Sequence, residues 1–126
     1  MARKPSEYPT GAELAILQVL WQNGPGTVRD VQSRLEGAGY TTVLKTLQIM
    51  TEKGLVTRDA SERAHRYDAA HSEEETQQGI LGDVVERAYR GSAGRLVLQA
   101  LSSKRASREE LEEIRRLLDE LEEEEA

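Results

Sequence analysis

A run of short hydroxyl, amide and amino side chains between residues 41 and 48 has the chemistry needed to read DNA. Hydroxyl and ammonium groups donate to phosphate oxygens, and amide or lysine side chains reach the base edges in the major groove. No carboxylate, which DNA would repel, comes before Glu52 in this stretch. It is therefore a candidate DNA-binding segment, and its polar members are Thr41, Thr42, Lys45, Thr46 and Gln48.

A second cationic group lies further along the chain, in two short stretches that favour β-strands. The stretches are Leu55–Asp59 and Arg63–Asp68, and the polar residues between them favour a turn. Arg3 and Lys4, near the N-terminus, are candidates for an additional DNA-contacting arm. We expect a small hairpin whose cations contact the DNA backbone or the minor groove, namely Arg58, Arg63, His65 and Arg66.

Three amphipathic helices precede this hairpin and are expected to position the DNA-binding segment. Thr10 and Glu13 have the spacing of a capping box that begins the first helix. Thr27 is placed to cap the second helix, which the Gly-Ala-Gly run at 37–39 is expected to end. The third is expected at Thr41–Lys53, before a C-terminal glycine. Three helices followed by a hairpin is the order of a winged helix-turn-helix domain, whose recognition helix enters the major groove.

The chain beyond residue 71 is predicted to be helical and to make the protein a dimer. Ser72 with Glu75, and Ser107 with Glu110, have capping-box spacing, and the helix after Ser72 is expected to reach about Arg90. The last helix carries leucine and isoleucine at the a/d spacing of a coiled-coil seam. The predicted dimer interface combines this seam with the helix before it: Leu96, Val97, Leu101, Leu111, Ile114, Leu118 and Leu121.

The expected fold class is therefore mainly α, with a winged helix-turn-helix DNA-binding domain at residues 1–71 and a helical dimerisation region at 72–126. The net charge of −6 is distributed unevenly between these two parts. Residues 1–71 carry nine Lys and Arg against eight Asp and Glu, whereas residues 72–126 carry eight against fifteen. The acidity belongs to the part that is not expected to touch DNA.

The composition also excludes several kinds of site. The chain has no cysteine, which rules out disulfides, thiolate metal ligands and a cysteine nucleophile. His65 and His71 lack the spacing of a metal site, even with Glu73–Glu75 nearby, so no metal or other cofactor is expected. We find no phosphate-binding loop or catalytic motif, and the protein is not expected to be an enzyme. With no recognisable signal peptide or membrane span, a cytoplasmic protein without membrane insertion is expected.

Two segments of the sequence closely match a known family of regulators. They are Tyr40–Val56, with the sequence YTTVLKTLQIMTEKGLV, and Arg63–Tyr67, with the sequence RAHRY. In these segments the chain resembles the penicillinase-repressor family of winged-helix proteins (the BlaI/MecI group). The resemblance implies a homodimeric transcriptional repressor that binds a palindromic operator. It also implies release from DNA after cleavage by a membrane sensor-protease, often in response to β-lactams.

Some positions depart from the family's pattern. Lys45 stands where many members have threonine, and Ile49 stands where many have arginine, so the preferred operator sequence is expected to differ. Well-studied members are cut at an Asn-Phe bond in the fifth helix, and the resemblance places Gln99 and Ala100 at that bond.

Two further interpretations remain open from the sequence. The winged helix could bind protein rather than DNA and act as an interaction adaptor, which predicts no salt-dependent affinity for DNA. Alternatively, a small ligand could bind at the dimer interface and release the DNA without proteolysis. The short chain leaves little room for a ligand-binding domain, which makes the second of these weaker.

Overall fold

The computed structural model describes residues 8–125, and the first and last residues of the chain, with the proposed arm at Arg3 and Lys4, lie outside this range. Three helices come first, then a two-stranded antiparallel hairpin, then three more helices. This order confirms the mainly α, winged-helix fold expected from the sequence. The elements are α1 (Gly11–Asn23), α2 (Val28–Ser33), α3 (Tyr40–Lys53), β1 (Val56–Asp59), β2 (Arg66–Ala69), α4 (Glu73–Ala88), α5 (Ala93–Ser102) and α6 (Arg108–Glu125).

Local hydrogen bonds explain where the first helices begin and end. The Thr10 hydroxyl accepts from the Glu13 N–H at 3.2 Å, and the Glu13 carboxylate accepts from the Thr10 N–H at 2.9 Å. Thr27 and Asp30 form the same reciprocal pair at the start of α2. The second helix ends at Ser33, earlier than the glycine-rich run that was expected to end it, because the chain passes into a turn there.

One hydrophobic core holds the three helices and the hairpin together. In α3, Leu47 and Met50 are completely buried, which fixes the inner face of that helix and turns its opposite face outwards. The backbone N–H and carbonyl of Tyr67 pair with those of Gly26 at 2.8 and 2.9 Å, which ties β2 to the turn between α1 and α2. The buried core residues are Ile16, Leu17, Leu20, Val28, Val31, Val43, Leu47, Met50, Val56 and Tyr67.

The hairpin differs from its predicted boundaries. Its register pairs Val56 with Ala69 and Asp59 with Arg66, so the second strand begins three residues later than Arg63, where it was expected. The expectation was wrong because β1 ends at Asp59 and leaves no partner for residues 63–65. The Asp59 carboxylate accepts from the Ser61 N–H at 2.9 Å and turns the chain into a longer loop. We call residues 60–65 the wing loop.

The described chain forms two compact units, one ending at Leu81 and the other beginning at Gly82 within α4. α4 ends at Ala88, slightly before the predicted Arg90, because Arg90 and Gly91 both have positive φ values (52° and 81°) that no α-helix contains. The Ser92 hydroxyl then caps α5 by accepting from the Arg95 N–H. No helix of the described residues combines the length and apolar character needed to cross a membrane.

Capping carboxylates make the later helices sensitive to acid. The Ser72 N–H donates to Glu75 and the Ser107 N–H to Glu110, which lowers the pKa of each carboxyl below its ordinary value of 4.5. This stabilisation is complete above pH 4.5 and is lost as the pH falls through the lowered pKa values. We therefore predict that the double variant Glu75→Gln/Glu110→Gln has a lower melting temperature than the parent at neutral pH. The difference should be smaller at about pH 3, where the two carboxylates of the parent have lost part of their stabilising charge. Melting curves followed by circular dichroism test this, and an equal effect at both pH values would contradict it.

Candidate nucleic-acid interface

The outer face of α3 collects most of the predicted DNA-binding side chains. Val43, Leu47 and Met50 occupy the buried side of the helix, so the residues between them point away from the core. Thr46 is half-buried, and its hydroxyl donates to the Thr42 carbonyl at 2.8 Å, which leaves only its lone pairs for another partner. The four predicted residues that are exposed on this helix are Thr41, Thr42, Lys45 and Gln48.

Two further residues complete this exposed face. Ile49 has 48% of its surface exposed, although its side chain is apolar. An aliphatic side chain at such a position can contact the methyl group of thymine, so Ile49 adds an apolar element to a polar surface. Glu52 is also exposed, near the C-terminal end of the helix. The side chains that suit DNA therefore extend along the exposed face of α3, with Thr41, Thr42 and Lys45 in its first half, the half that helix-turn-helix proteins place against the base edges.

The predicted cations of the hairpin occupy different parts of it. Arg63 and His65 are exposed in the wing loop, and Arg58 is exposed on β1, opposite Tyr67. Arg66 is exposed on β2, but its guanidinium donates to the Pro25 carbonyl at 3.1 Å. Part of the hydrogen-bonding capacity of Arg66 is thus used to hold the hairpin against the turn between α1 and α2.

A cleft of about 220 Å³ lies between the wing loop and the N-terminal ends of α2 and α3. We call it the wing cleft. The Arg29 guanidinium carbon lies 5.7 Å from the centre of the Tyr40 ring, a cation–π arrangement on the side of the cleft opposite the loop. The sequence analysis did not select Arg29 or Tyr40, because neither belongs to the polar run of α3. The lining residues are Thr27, Val28, Arg29, Tyr40, Leu44, Arg63, Ala64, His65 and Tyr67.

A buried ion pair fixes the far end of α3. The Lys53 ammonium donates to both carboxylate oxygens of Glu13, at 2.9 and 2.8 Å, and only 4% of Glu13 is exposed. The same carboxylate closes the capping box with Thr10, so it joins the start of α1 to the end of α3. Sequence reasoning identified Glu13 only as a capping residue and gave no role to the Lys53 side chain.

The predicted dimer residues lie on α5 and α6, in the unit that begins at Gly82. None of the described residues in this unit is buried, whether on the later part of α4, on α5 or on α6. Leu98 and Leu117 are also exposed, although the sequence analysis did not include them. Of the predicted set, three are half-buried, Leu96, Leu101 and Ile114, and four are exposed, Val97, Leu111, Leu118 and Leu121.

The predicted cleavage position lies inside a helix. Gln99 and Ala100 are both exposed, but they belong to α5 and not to a loop. Proteolysis at this bond would therefore require the helix to open locally.

The two histidines lie apart from any cluster of metal ligands. The His71 carbonyl accepts from the indole N–H of Trp21 at 3.0 Å, which ties the segment before α4 to α1. Within residues 8–125, no group of three or more His, Asp or Glu side chains is placed to hold a metal ion.

Comparison with known proteins places this arrangement among DNA-binding regulators. A family model described as "Penicillinase repressor" matches residues 9–120. The "Transcriptional regulator BlaI" of Mycobacterium tuberculosis (strain CDC 1551 / Oshkosh) is 34% identical over 114 residues, which are 87% of this chain and 82% of that protein. The protein of the same name from strain ATCC 25618 / H37Rv matches to the same extent. The family match extends across the winged helix and most of the helices that follow it.

Proposed function

Because this chain belongs to the penicillinase repressor family of transcriptional regulators, we propose that it is a dimeric repressor that binds a palindromic operator. Residues Thr41–Lys53 act as the recognition helix in the major groove, and the wing loop contacts the neighbouring DNA backbone. The proposed site of action is the cytoplasm, and the proposed partners are double-stranded DNA and a second copy of the chain.

The observation that carries this proposal is the division of α3 into two faces. Its inner face is locked into the core by Leu47 and Met50, and its outer face presents Lys45 between exposed hydroxyl and amide groups. A rigid helix with such a surface can carry donors to base edges without rearranging. Arg63 and His65 lie beside the start of this helix, across the wing cleft, so the cationic groups could follow the phosphates that flank the groove.

Dimerisation is supported by the apolar surface that the C-terminal unit leaves exposed. α6 is a highly charged helix with a leucine stripe, and most of the stability of helices in proteins comes from packing of their apolar face. A second copy of the chain would cover that stripe with an identical one around a two-fold axis. Two-fold symmetry then predicts two operator half-sites about 34 Å apart, or a multiple of that distance.

Release from the operator completes the proposed cycle. An inducing signal removes the repressor, and cleavage at Gln99–Ala100 by a sensor-protease is the route that the family suggests. Exposure of both residues on α5 supports access by a protease, whereas their difference from the family's Asn-Phe bond predicts a protease with different specificity.

Fluorescence anisotropy on a labelled fragment of the gene's own upstream region tests the proposed function. The titration is done at two salt concentrations, with random DNA as competitor. We expect binding that resists the competitor and weakens as salt rises. A fragment that binds no better than random DNA calls for selection from a random library. Failure of that selection would contradict the repressor function and favour an adaptor that binds protein. Release of DNA by a small ligand from the intact chain would instead contradict the proteolytic route.

Two substitutions test the docking of α3 and of the wing loop. Lys45→Ala and Arg63→Ala are each expected to weaken operator binding by about 1–3 kcal/mol, because each removes a direct contact to DNA. Arg116→Ala serves as the control, since it removes an exposed cation from α6, outside the proposed interface. If Lys45→Ala and Arg63→Ala both bind the operator as tightly as the parent, the proposed docking is wrong.

A further inference from the structure

We infer that the wing cleft is a binding site for one phosphodiester group of the DNA backbone, with Arg29 as the residue that binds it and Tyr40 as the residue that positions Arg29. This inference rests on the proposed function. It adds a phosphate contact from α2 to the proposed DNA contacts of α3 and the wing loop. This contact would help to set the position of the recognition helix along the DNA.

The charge of the wing cleft favours an anion. Its lining residues include Arg29 from α2 and Arg63 and His65 from the wing loop. No carboxylate is among the described residues that line it. Such a lining suits an anion, and the carboxylates that give the chain its net charge of −6 lie mainly beyond residue 71.

The size of the wing cleft separates the possible ligands. A volume of about 220 Å³ corresponds to several water molecules, each of which occupies about 30 Å³. Pockets for drug-sized molecules usually measure about 300–1,000 Å³, so the cleft suits a single phosphate group better than an organic inducer. The remaining choice is between a phosphate of the DNA backbone and free inorganic phosphate, and both share the same chemistry.

The position of the wing cleft favours the DNA backbone. Tyr40 is the first residue of α3, directly before the exposed Thr41 and Thr42. A phosphate held here would therefore lie next to the part of the helix that is proposed to read bases. Contacts to phosphates fix the orientation of a protein on the duplex, whereas contacts to bases supply the sequence information. The wing cleft is therefore placed to hold a phosphate beside the residues that are proposed to contact bases.

The Arg29–Tyr40 pair explains how the guanidinium can be ready for a phosphate. Arg29 is exposed and, within residues 8–125, no carboxylate forms an ion pair with it. The ring of Tyr40, 44% exposed, lies under the guanidinium and limits the directions it can take. Stacking on an aromatic face leaves the N–H groups at the edge of the guanidinium free to donate to phosphate oxygens.

The salt dependence of DNA binding by the full-length protein gives the first test. In the proposed dimer, Arg29→Ala removes one phosphate contact from each half-site. The slope of log affinity against log salt concentration should therefore fall by about two units, one for each contact. The affinity loss expected for Arg29→Ala is about tenfold for each half-site of the operator, with a similar loss on random DNA. Arg34→Ala is the control, because Arg34 is an exposed cation just after α2 that lines a different surface depression. An equal change of slope with Arg34→Ala would overturn the inference, since it would show only a general effect of charge.

Uncharged methylphosphonate linkages, placed one at a time in the operator, give the second test. We expect one position in each half-site where the neutral linkage weakens the parent but has no further effect on Arg29→Ala. Tyr40→Phe should behave like the parent at that position, and Tyr40→Leu should lose part of the effect. A methylphosphonate pattern that is identical for the parent and Arg29→Ala would overturn the inference.

The outcomes of these tests show whether the proposed function fails or only the role of the wing cleft. If the parent binds no DNA with salt-dependent affinity, the proposed function itself fails. If the parent binds the operator while Arg29→Ala keeps the parental slope and methylphosphonate pattern, only the role of the wing cleft is wrong. Inorganic phosphate that binds the parent but not Arg29→Ala, while the methylphosphonate pattern is the same for both proteins, would identify free phosphate as the ligand and overturn the assignment to DNA. Equal melting temperatures for parent and variant establish that the comparison concerns binding and not folding.

Discussion

Leu118→Glu is expected to convert the protein to a monomer and to lower its affinity for a palindromic operator by about 100-fold or more. Leu118 lies in the middle of the stripe on α6, with 51% of its surface exposed in the single chain. Because a two-fold interface uses the same patch on both copies, the substitution would place a carboxylate in the proposed interface twice. Two linked DNA-binding domains gain about 10²–10⁴-fold over one by avidity, and that gain is lost when they separate.

The loss of operator affinity is expected to be large because the leucine stripe of α6 has no other place where it could be buried. No described residue of the C-terminal unit is buried, so the leucines of α6 have no enclosed position within that unit. Burial of apolar surface stabilises an interface by about 25 cal/mol per Å², and a charged side chain at its centre also costs desolvation energy. One substitution at the centre of a short seam therefore removes a large share of the association energy.

Arg116→Glu is the matched control for this prediction. It introduces the same residue into the same helix, two positions before Leu118 and on the opposite face, where it is exposed. Sedimentation equilibrium gives the molecular mass of each variant, and anisotropy gives its affinity for the operator. A dimeric Leu118→Glu protein with parental operator affinity would show that the stripe on α6 is not the interface. A monomeric Arg116→Glu protein would show that the charge alone is responsible.

The features that sequence reasoning predicted correctly depend on short stretches of chain. The capping boxes of Thr10 with Glu13 and of Ser72 with Glu75 join residues three positions apart, so their spacing alone identifies them. The two faces of α3 also follow from helical periodicity. Val43 and Leu47 lie about one helical turn apart and are both buried, whereas Lys45 between them is on the other face. The glycine that ends α3 has a φ of 81°, as a C-terminal cap requires.

The features that were missed depend on tertiary contacts between distant residues. Nothing near Lys53 in the sequence indicates that its ammonium reaches Glu13, which lies 40 positions away. The partner of Arg29, the Tyr40 ring, likewise comes from α3, and only the tertiary packing brings this pair together with the wing loop around one cleft. The start of β2 was placed too early because strand boundaries depend on the length of the partner strand, and β1 ends at Asp59. One local signal existed for α2, since the Thr27–Asp30 spacing is also that of a capping box.

Lys53→Met is expected to destabilise the folded protein by about 3 kcal/mol, a loss typical of a buried ion pair from which one partner is removed. The substitution leaves the Glu13 carboxylate almost completely buried, with only the Thr10 N–H as a donor among the bonds described for it. A protein of this size has a total stability of about 5–15 kcal/mol, so the loss is a large fraction of it. Urea denaturation at one fixed protein concentration measures the change, and the fixed concentration keeps any contribution from dimerisation constant.

The double variant Glu13→Gln/Lys53→Met shows whether the unpaired charge causes this loss. Glutamine can still accept from the Thr10 N–H in the capping box, but it has no charge that needs a partner. We therefore expect the double variant to be more stable than Lys53→Met, even though it differs more from the parent. Glu13→Gln alone should cost less than Lys53→Met, because the Lys53 side chain is 15% exposed and its ammonium can turn towards solvent. Losses that simply add would show that the two side chains act independently, and the ion pair would then have no part in holding α3 against α1.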